Sequence, residues 1–185
     1  LLALGMENGG PIDEDISKLA RLQARGVRYI TLAHSRGNRI SDASYDPSHR
    51  WNGLSPFGEK VVAEMNRLGI MVDVSHPSKG SMLQTVALSK APIIASHSSA
   101  RALANHSRNM DDEMLMALKQ NGGVVQTVAF SAYVNVDPPQ RTSAIAQQAQ
   151  LDGYLGAVGK EIEHFYYKQA WNAFQLPEYV FVHEG

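Results

Sequence analysis

The sequence predicts an α/β protein built on a parallel β-sheet, and three observations predict it. Short β-branched runs alternate with segments of helical periodicity. The runs are apolar on both faces, without clean alternation, as in strands covered by helices on each side. The helical segments carry capping residues at their starts and glycines at their ends. Two architectures fit this order, a (β/α)8 barrel and an open doubly wound sheet. No GxGxxG or GxxxxGK[ST] follows any of the runs, which lowers the weight of the nucleotide-binding open sheets.

The first run is "LLALGM", which reads as a buried strand whose predecessors are missing, so a fragment or an incomplete protein is expected. It has no basic flank or cleavage site of a signal peptide. In "IDEDISKLARLQARG", Ile16, Leu19 and Leu22 recur on one helical face, Asp13 is the expected cap and Gly26 the expected stop. The second strand is "VRYITLAH". In "SPFGEKVVAEMNRLG", Ser55 is the expected N-cap and Pro56 the first helical residue. Phe57, Val61, Val62, Met65 and Leu68 form its apolar stripe, and Gly69 ends it. "IMVDVSH" is the third strand, "SKGSMLQTVALSK" a helix, and "PIIASHS" the fourth strand. "DDEMLMALKQNGG" is a helix starting at Asp111 or Asp112 and ending at Gly122, before a fifth strand, "GVVQTVAF". From Thr142 to Phe174 the pattern is helical, rich in Ala and Gln, with an aromatic cluster. "YVFVHEG" is a further strand or a frayed end. The whole reads as a single incomplete domain, 1–185, with a divergent, mainly helical tail over 131–185.

Bulk properties narrow the function. A chain of 185 residues is long enough for one domain with a core. With 44% hydrophobic and 19% charged residues it fits a globular chain and not a disordered one. A net charge of -1 gives no electrostatic footprint for nucleic acid. No apolar run reaches the length of a membrane span. There is no cysteine, so any metal must be held by histidine and carboxylate.

The chemistry gathers at the strand ends. Glu7 follows "LLALGM", His34 follows "VRYITLA", His76 follows "IMVDVS" and His97 follows "PIIAS". Parallel strands all point one way, so residues distant in sequence meet at one side of the sheet. Imidazole and carboxylate suit zinc or a similar divalent ion where no thiolate is available. Such an ion lowers the pKa of water towards neutrality, which makes a nucleophile for hydrolysis. A lone strand-end histidine is more often a satisfied polar residue than a ligand. Four such residues on consecutive strands, with "SH" twice, reverse that balance. Asp73, inside "VDVSH", could orient a ligand histidine from behind. His49, His106 and His164 are assigned to the surface, and His183 follows a strand-like run at the end of the chain. Arg108, in "NHSRNMDDE", is either a solvated arginine near a helix start or a guanidinium that grips a substrate carboxylate.

Taken together, "YITLAHS", "GLSPFGEKVVAEMNRLGIMVDVSH", "APIIASHSSARAL" and "RNMDDEML" resemble the membrane dipeptidase (renal dipeptidase) family of zinc peptidases, over about residues 1–130. The resemblance implies a (β/α)8 barrel of the metal-dependent hydrolase type, with two zinc ions per complete site and dipeptides as substrates. It implies that Glu7 bridges the two zincs and that His76 and His97 bind the second. It implies further that His34 contacts the scissile carbonyl and stabilises the oxyanion, and that Arg108 holds the free carboxylate. A homodimer is one assembly this reading admits. The family's His-x-Asp pair and its late-strand aspartate have no counterpart here, so a partial barrel lacking its first and last strands is expected. Two other readings stand beside it. One is a truncated, non-catalytic paralogue that binds a metal or a partner. The other is a different metal-dependent hydrolase, acting on another amide.

Overall fold

In the computed structural model, which describes residues 3–134, five parallel strands alternate with helices. Strand β1 (Leu4–Glu7) leads through a 3-10 turn (Gly10–Ile12) to α1 (Ser17–Ala24) and β2 (Val27–Thr31). A long loop precedes α2 (Pro56–Leu68), which is followed by β3 (Met71–Asp73), α3 (Lys79–Leu88) and β4 (Ile94–Ser98). Helix α4 (Asp112–Asn121), β5 (Val124–Thr127) and the short α5 (Ser131–Val134) complete the order. The strands lie β1-β2-β3-β4-β5, each beside its sequence neighbour. A doubly wound sheet reverses its order at a switch point. Among the described residues the order is strictly sequential with no such reversal, which favours the barrel. The helical tail expected over 142–174, and His164 and His183, lie outside the described residues.

The helices form where cap chemistry and apolar spacing coincide. Ser55 Oγ accepts from Gly58 N at 2.9 Å at the start of α2, with Pro56 in its first turn and Gly69 left-handed at its end. Asp111, not Asp112, caps α4, its carboxylate accepting from Met114 N at 3.0 Å. Val61, Val62 and Met65 of α2 and Met114 and Leu118 of α4 are buried in one core with Ile30, Val72 and Ala95 of the strands and with Ile93, just before β4.

Two expectations need correction. Asp13 does not cap α1. The "GPI" segment takes up a 3-10 turn of its own, and Asp13 closes it at φ +52°. The helix starts later, and the Asp15 carboxylate accepts from Ser17 N at 3.0 Å instead. Nor is the first strand buried. Leu4 is 50% exposed, because β1 is an outer strand of the sheet among the described residues and pairs with β2 alone.

Gly58 shows how closely the long loop seats on α2. A Cβ there would overlap the Ile40 carbonyl oxygen, and backbone cannot swing aside as a flexible side chain can. Gly58→Ala is therefore expected to destabilise the fold by about 1–3 kcal/mol, although alanine is the better helix former. Urea denaturation checks it, and unchanged stability would show that the loop is not seated there.

Candidate metal centre

Parallel topology brings all four predicted strand-end residues together. Glu7 is the last residue of β1, while His34 and His76 each lie three residues beyond their strands. His97 stands inside β4 rather than after it, a correction to its expected place. A bulge accompanies this position. Ala95 pairs with Val125 and Ser98 with Thr127, so three steps on β4 oppose two on β5. Such an extra residue re-aims a side chain at a strand end.

The donor atoms crowd one point. His76 Nε2 lies 2.9 Å from Glu7 Oε1 and 2.8 Å from His97 Nε2. His97 Nε2 is 3.2 Å, and His34 Nε2 3.5 Å, from the same Glu7 oxygen. The rings of His34 and His76 are 4.1 Å apart between centroids. Tetrahedral zinc with bonds near 2.0–2.1 Å sets its ligand atoms roughly 3.3 Å apart, which the four distances bracket. Two imidazole lone pairs cannot face each other at 2.8 Å without a positive centre between or beside them. A shared proton or a cation meets that need, so the donor set fits a divalent ion.

The surroundings set the charge states. The His76 ring, and then the His97 ring, beside it hold the Glu7 carboxyl well below the ordinary carboxylate range. Burial pushes the His76 imidazole down, so it is neutral at pH 7, the form that can bind a metal. Its Nδ1 is buried and has no partner among the described residues. His34 is more open, with its side chain 43% exposed and its Nδ1 2.9 Å from Ser35 Oγ.

Glu7 owes its position to the turn that follows. Asn8 is left-handed at φ +91°, and its side chain accepts from Gly10 N and from Asn38 Nδ2. Gly9 donates to Thr31 O at 2.7 Å, and a Cβ on it would press on Leu32 O and Ile40. Behind the histidines, Asp73 is fully buried and accepts from Thr31 Oγ1, Ser96 Oγ, Ser75 N and Ser96 N.

Arg108 sits beside the cluster, not in solvent. It is 2% exposed, and its Nη2 donates to the His97 carbonyl at 3.2 Å. Its Nε and Nη1 are buried with no partner among the described residues. Desolvation pushes the guanidinium's pKa down, and the nearby tyrosines and Asp73 offset only part of that. Tyr133 covers it, with Arg108 Cζ 5.3 Å from the ring centroid. The Tyr133 hydroxyl meets that of Tyr45 at 2.8 Å. His106 is also misplaced by sequence reasoning. It is half-buried rather than a surface residue, its ring lies 4.8 Å from that of Tyr133, and its Nδ1 accepts from Arg108 N.

Sequence reasoning missed Tyr45, Tyr133 and Asn8. Tyr45 lies in the loop between β2 and α2, where no periodicity marks a side chain's direction. That loop is pinned by Asp42, a buried carboxylate that accepts from Trp51 N and Gly53 N. The signal for Asn8 was present in "ENGG", a turn sequence in which Asn tolerates the left-handed region.

Residues 1–166 match the family described as Membrane dipeptidase (Peptidase family M19). The chain is 39% identical over 153 residues to Dipeptidase aclJ of Aspergillus oryzae, covering 83% of this chain and 36% of that protein. It is 42% identical over 135 residues to an uncharacterized dipeptidase of Schizosaccharomyces pombe, covering 72% and 32%. The chain thus spans about a third of the length of the curated relatives it matches. Among solved structures, the probable dipeptidase PvdM of Pseudomonas aeruginosa superposes with a TM-score of 0.73 at 37% identity, covering 80% of this chain and 39% of that one. A metallo peptidase of Rhodobacter sphaeroides, liganded with a phosphinate mimic of the dipeptide L-Ala-D-Ala, shares the fold with a TM-score of 0.66 at 23% identity, covering 82% and 46%.

Proposed function

Because the chain belongs to the membrane dipeptidase family, peptidase family M19, we propose that its strand-end cluster is part of a zinc site for dipeptide hydrolysis. The observation that carries the reading is the convergence of His76 Nε2, His97 Nε2 and Glu7 Oε1 within 3.2 Å of one another. We read the five sequential strands as consecutive strands of a (β/α)8 barrel, whose active sites lie at the strands' C-terminal ends. The TM-score to the Pseudomonas aeruginosa dipeptidase supports this. In this reading His76 and His97 would hold zinc, and Glu7 would add a carboxylate oxygen to the site. Zinc bound there would supply a Lewis acid and a water of near-neutral pKa.

The chain's own residues account for the rest of the proposal. Glu7, kept ionised by its histidine neighbours, balances cationic charge. His34, the most open of the three clustered histidines, is placed to donate to a carbonyl oxygen as it gains charge. Arg108, whose Nε and Nη1 have no partner among the described residues, is placed to receive the substrate's terminal carboxylate. A second role for His34 is favoured by one distance criterion. Donor atoms of Glu7, His34 and His76 lie within 4.8 Å of one another, close enough for His34 to be a ligand. His34→Ala separates the two roles, because a carbonyl donor's loss leaves zinc content intact and a ligand's loss does not.

Calorimetric titration of zinc into the metal-free chain tests the proposal. Saturable binding is expected at pH 7, weakening as the pH falls towards about 5, because protons take the imidazole lone pairs that zinc needs. Burial lowers the pKa of His76, so protons compete for it only at a lower pH than for an ordinary imidazole. Absence of binding at pH 7 would refute the zinc site.

A further inference from the structure

Each strand-end histidine of the "SH" pairs is preceded by a serine, and neither serine hydroxyl bonds to zinc-facing atoms. Both serve His97. Ser75 Oγ accepts from His97 N at 2.8 Å. Ser96 Oγ lies 2.6 Å from Asp73 Oδ2 and 2.8 Å from His97 Nδ1. The hydroxyl of Ser96 carries one hydrogen. A carboxylate only accepts, and Asp73 is surrounded by four donors, so that hydrogen goes to Asp73. Ser96 Oγ must then accept, and the one donor that faces it from the ring is His97 Nδ1–H. The other ring nitrogen, Nε2, is left with its lone pair at the cluster.

We propose that Asp73, acting through the Ser96 hydroxyl, is the positioning residue that fixes His97 as its Nδ1-protonated tautomer and so presents the Nε2 lone pair to a metal. The inference rests on the zinc reading for its purpose, but not for its geometry. It gives the two histidines different supports. His97 is locked from behind, while His76 Nδ1 has no partner among the described residues. Asp73 touches neither ring and reaches His97 from the neighbouring strand. It also ties Thr31 of β2 into the same carboxylate, at 2.6 Å, so one buried charge aligns three strands below the cluster.

Nitrogen-15 spectra of histidine-labelled, metal-free full chain test it directly, at about pH 8, where imidazoles are neutral. The His97 signal is identified by its loss in His97→Gln. His97 protonated on Nδ1 is expected; His97 protonated on Nε2 overturns the proposal, with no variant required. In competition with a chelator, Ser96→Ala should bind zinc about 10–100-fold more weakly, the usual cost of losing such a support. Ser96→Thr, which keeps a hydroxyl, should stay within about threefold of wild type on the same scale. Thr31→Val removes a different donor from Asp73 and leaves the relay whole, so its zinc affinity should also stay within about threefold. Equal losses in Thr31→Val and Ser96→Ala would mean general damage and overturn the relay. If the wild type binds no zinc, the zinc reading fails, and the His97 tautomer still decides the relay.

Discussion

His76→Ala protein is expected to bind zinc far more weakly than wild type. His76 is 5% exposed and lies at the centre of the cluster, within 2.9 Å of both Glu7 Oε1 and His97 Nε2. Zinc sites with four protein ligands have apparent binding energies of about 10–16 kcal/mol. An even share is roughly 3 kcal/mol per ligand, on the order of a hundredfold or more in affinity. The remaining pair, Glu7 and His97, belongs to separate strands and cannot chelate as a rigid unit. Elemental analysis after chelation and zinc add-back, on wild type and variant, gives the measurement. Circular dichroism on both separates ligand loss from unfolding, since alanine also leaves a cavity. Equal zinc content in two folded proteins would remove His76 from the site.

Arg108→Ala should cost catalytic efficiency on a dipeptide but not on its C-terminal amide. The guanidinium is buried, held by one bond to the His97 carbonyl, and has Nε and Nη1 free among the described residues. A dipeptide's carboxylate lies one residue from its scissile bond. A guanidinium fixed beside His97 would therefore measure length as well as charge, and would favour dipeptides over longer peptides. Loss of such a buried charge-assisted pair costs about 2–5 kcal/mol, roughly thirty- to several-thousand-fold in kcat/KM. Lysine should rescue in part, because it keeps the charge without the planar fork. The assay compares a dipeptide and its amide in wild type and variant of the complete enzyme. Equal losses on both substrates would show that Arg108 does not read the carboxylate.

Both predictions start from residues picked out in the linear sequence, and they differ in how legible those residues were. His76 was marked by the repeated "SH" at the ends of two β-branched runs, a signal that survives without any structure. Arg108 was balanced between solvent and substrate, because sequence carries no measure of burial for a lone arginine in a loop. Its place under Tyr133, and the Tyr133–Tyr45 hydroxyl pair, join residues 25 and 63 positions from Arg108. No local pattern links such positions.

The sequence by itself determined the alternation of strands and helices, the cap at Ser55 and a cap at Asp111 or Asp112, the left-handed glycines that end α2 and α4, and the four strand-end residues of the cluster. These depend on short-range physics: side-chain period, backbone freedom and cap hydrogen bonds within a few residues. Tertiary structure alone decided that the strands lie in sequential order, that β1 is an outer strand among the described residues, and that β4 bulges at His97. It also decided that Asp73 supports His97 through Ser96 rather than touching a histidine directly. Each of these depends on which strand stands beside which, and in what register. A shift of one residue in that pairing would turn every side chain of a strand to its other face, yet would leave the local sequence signals as they are.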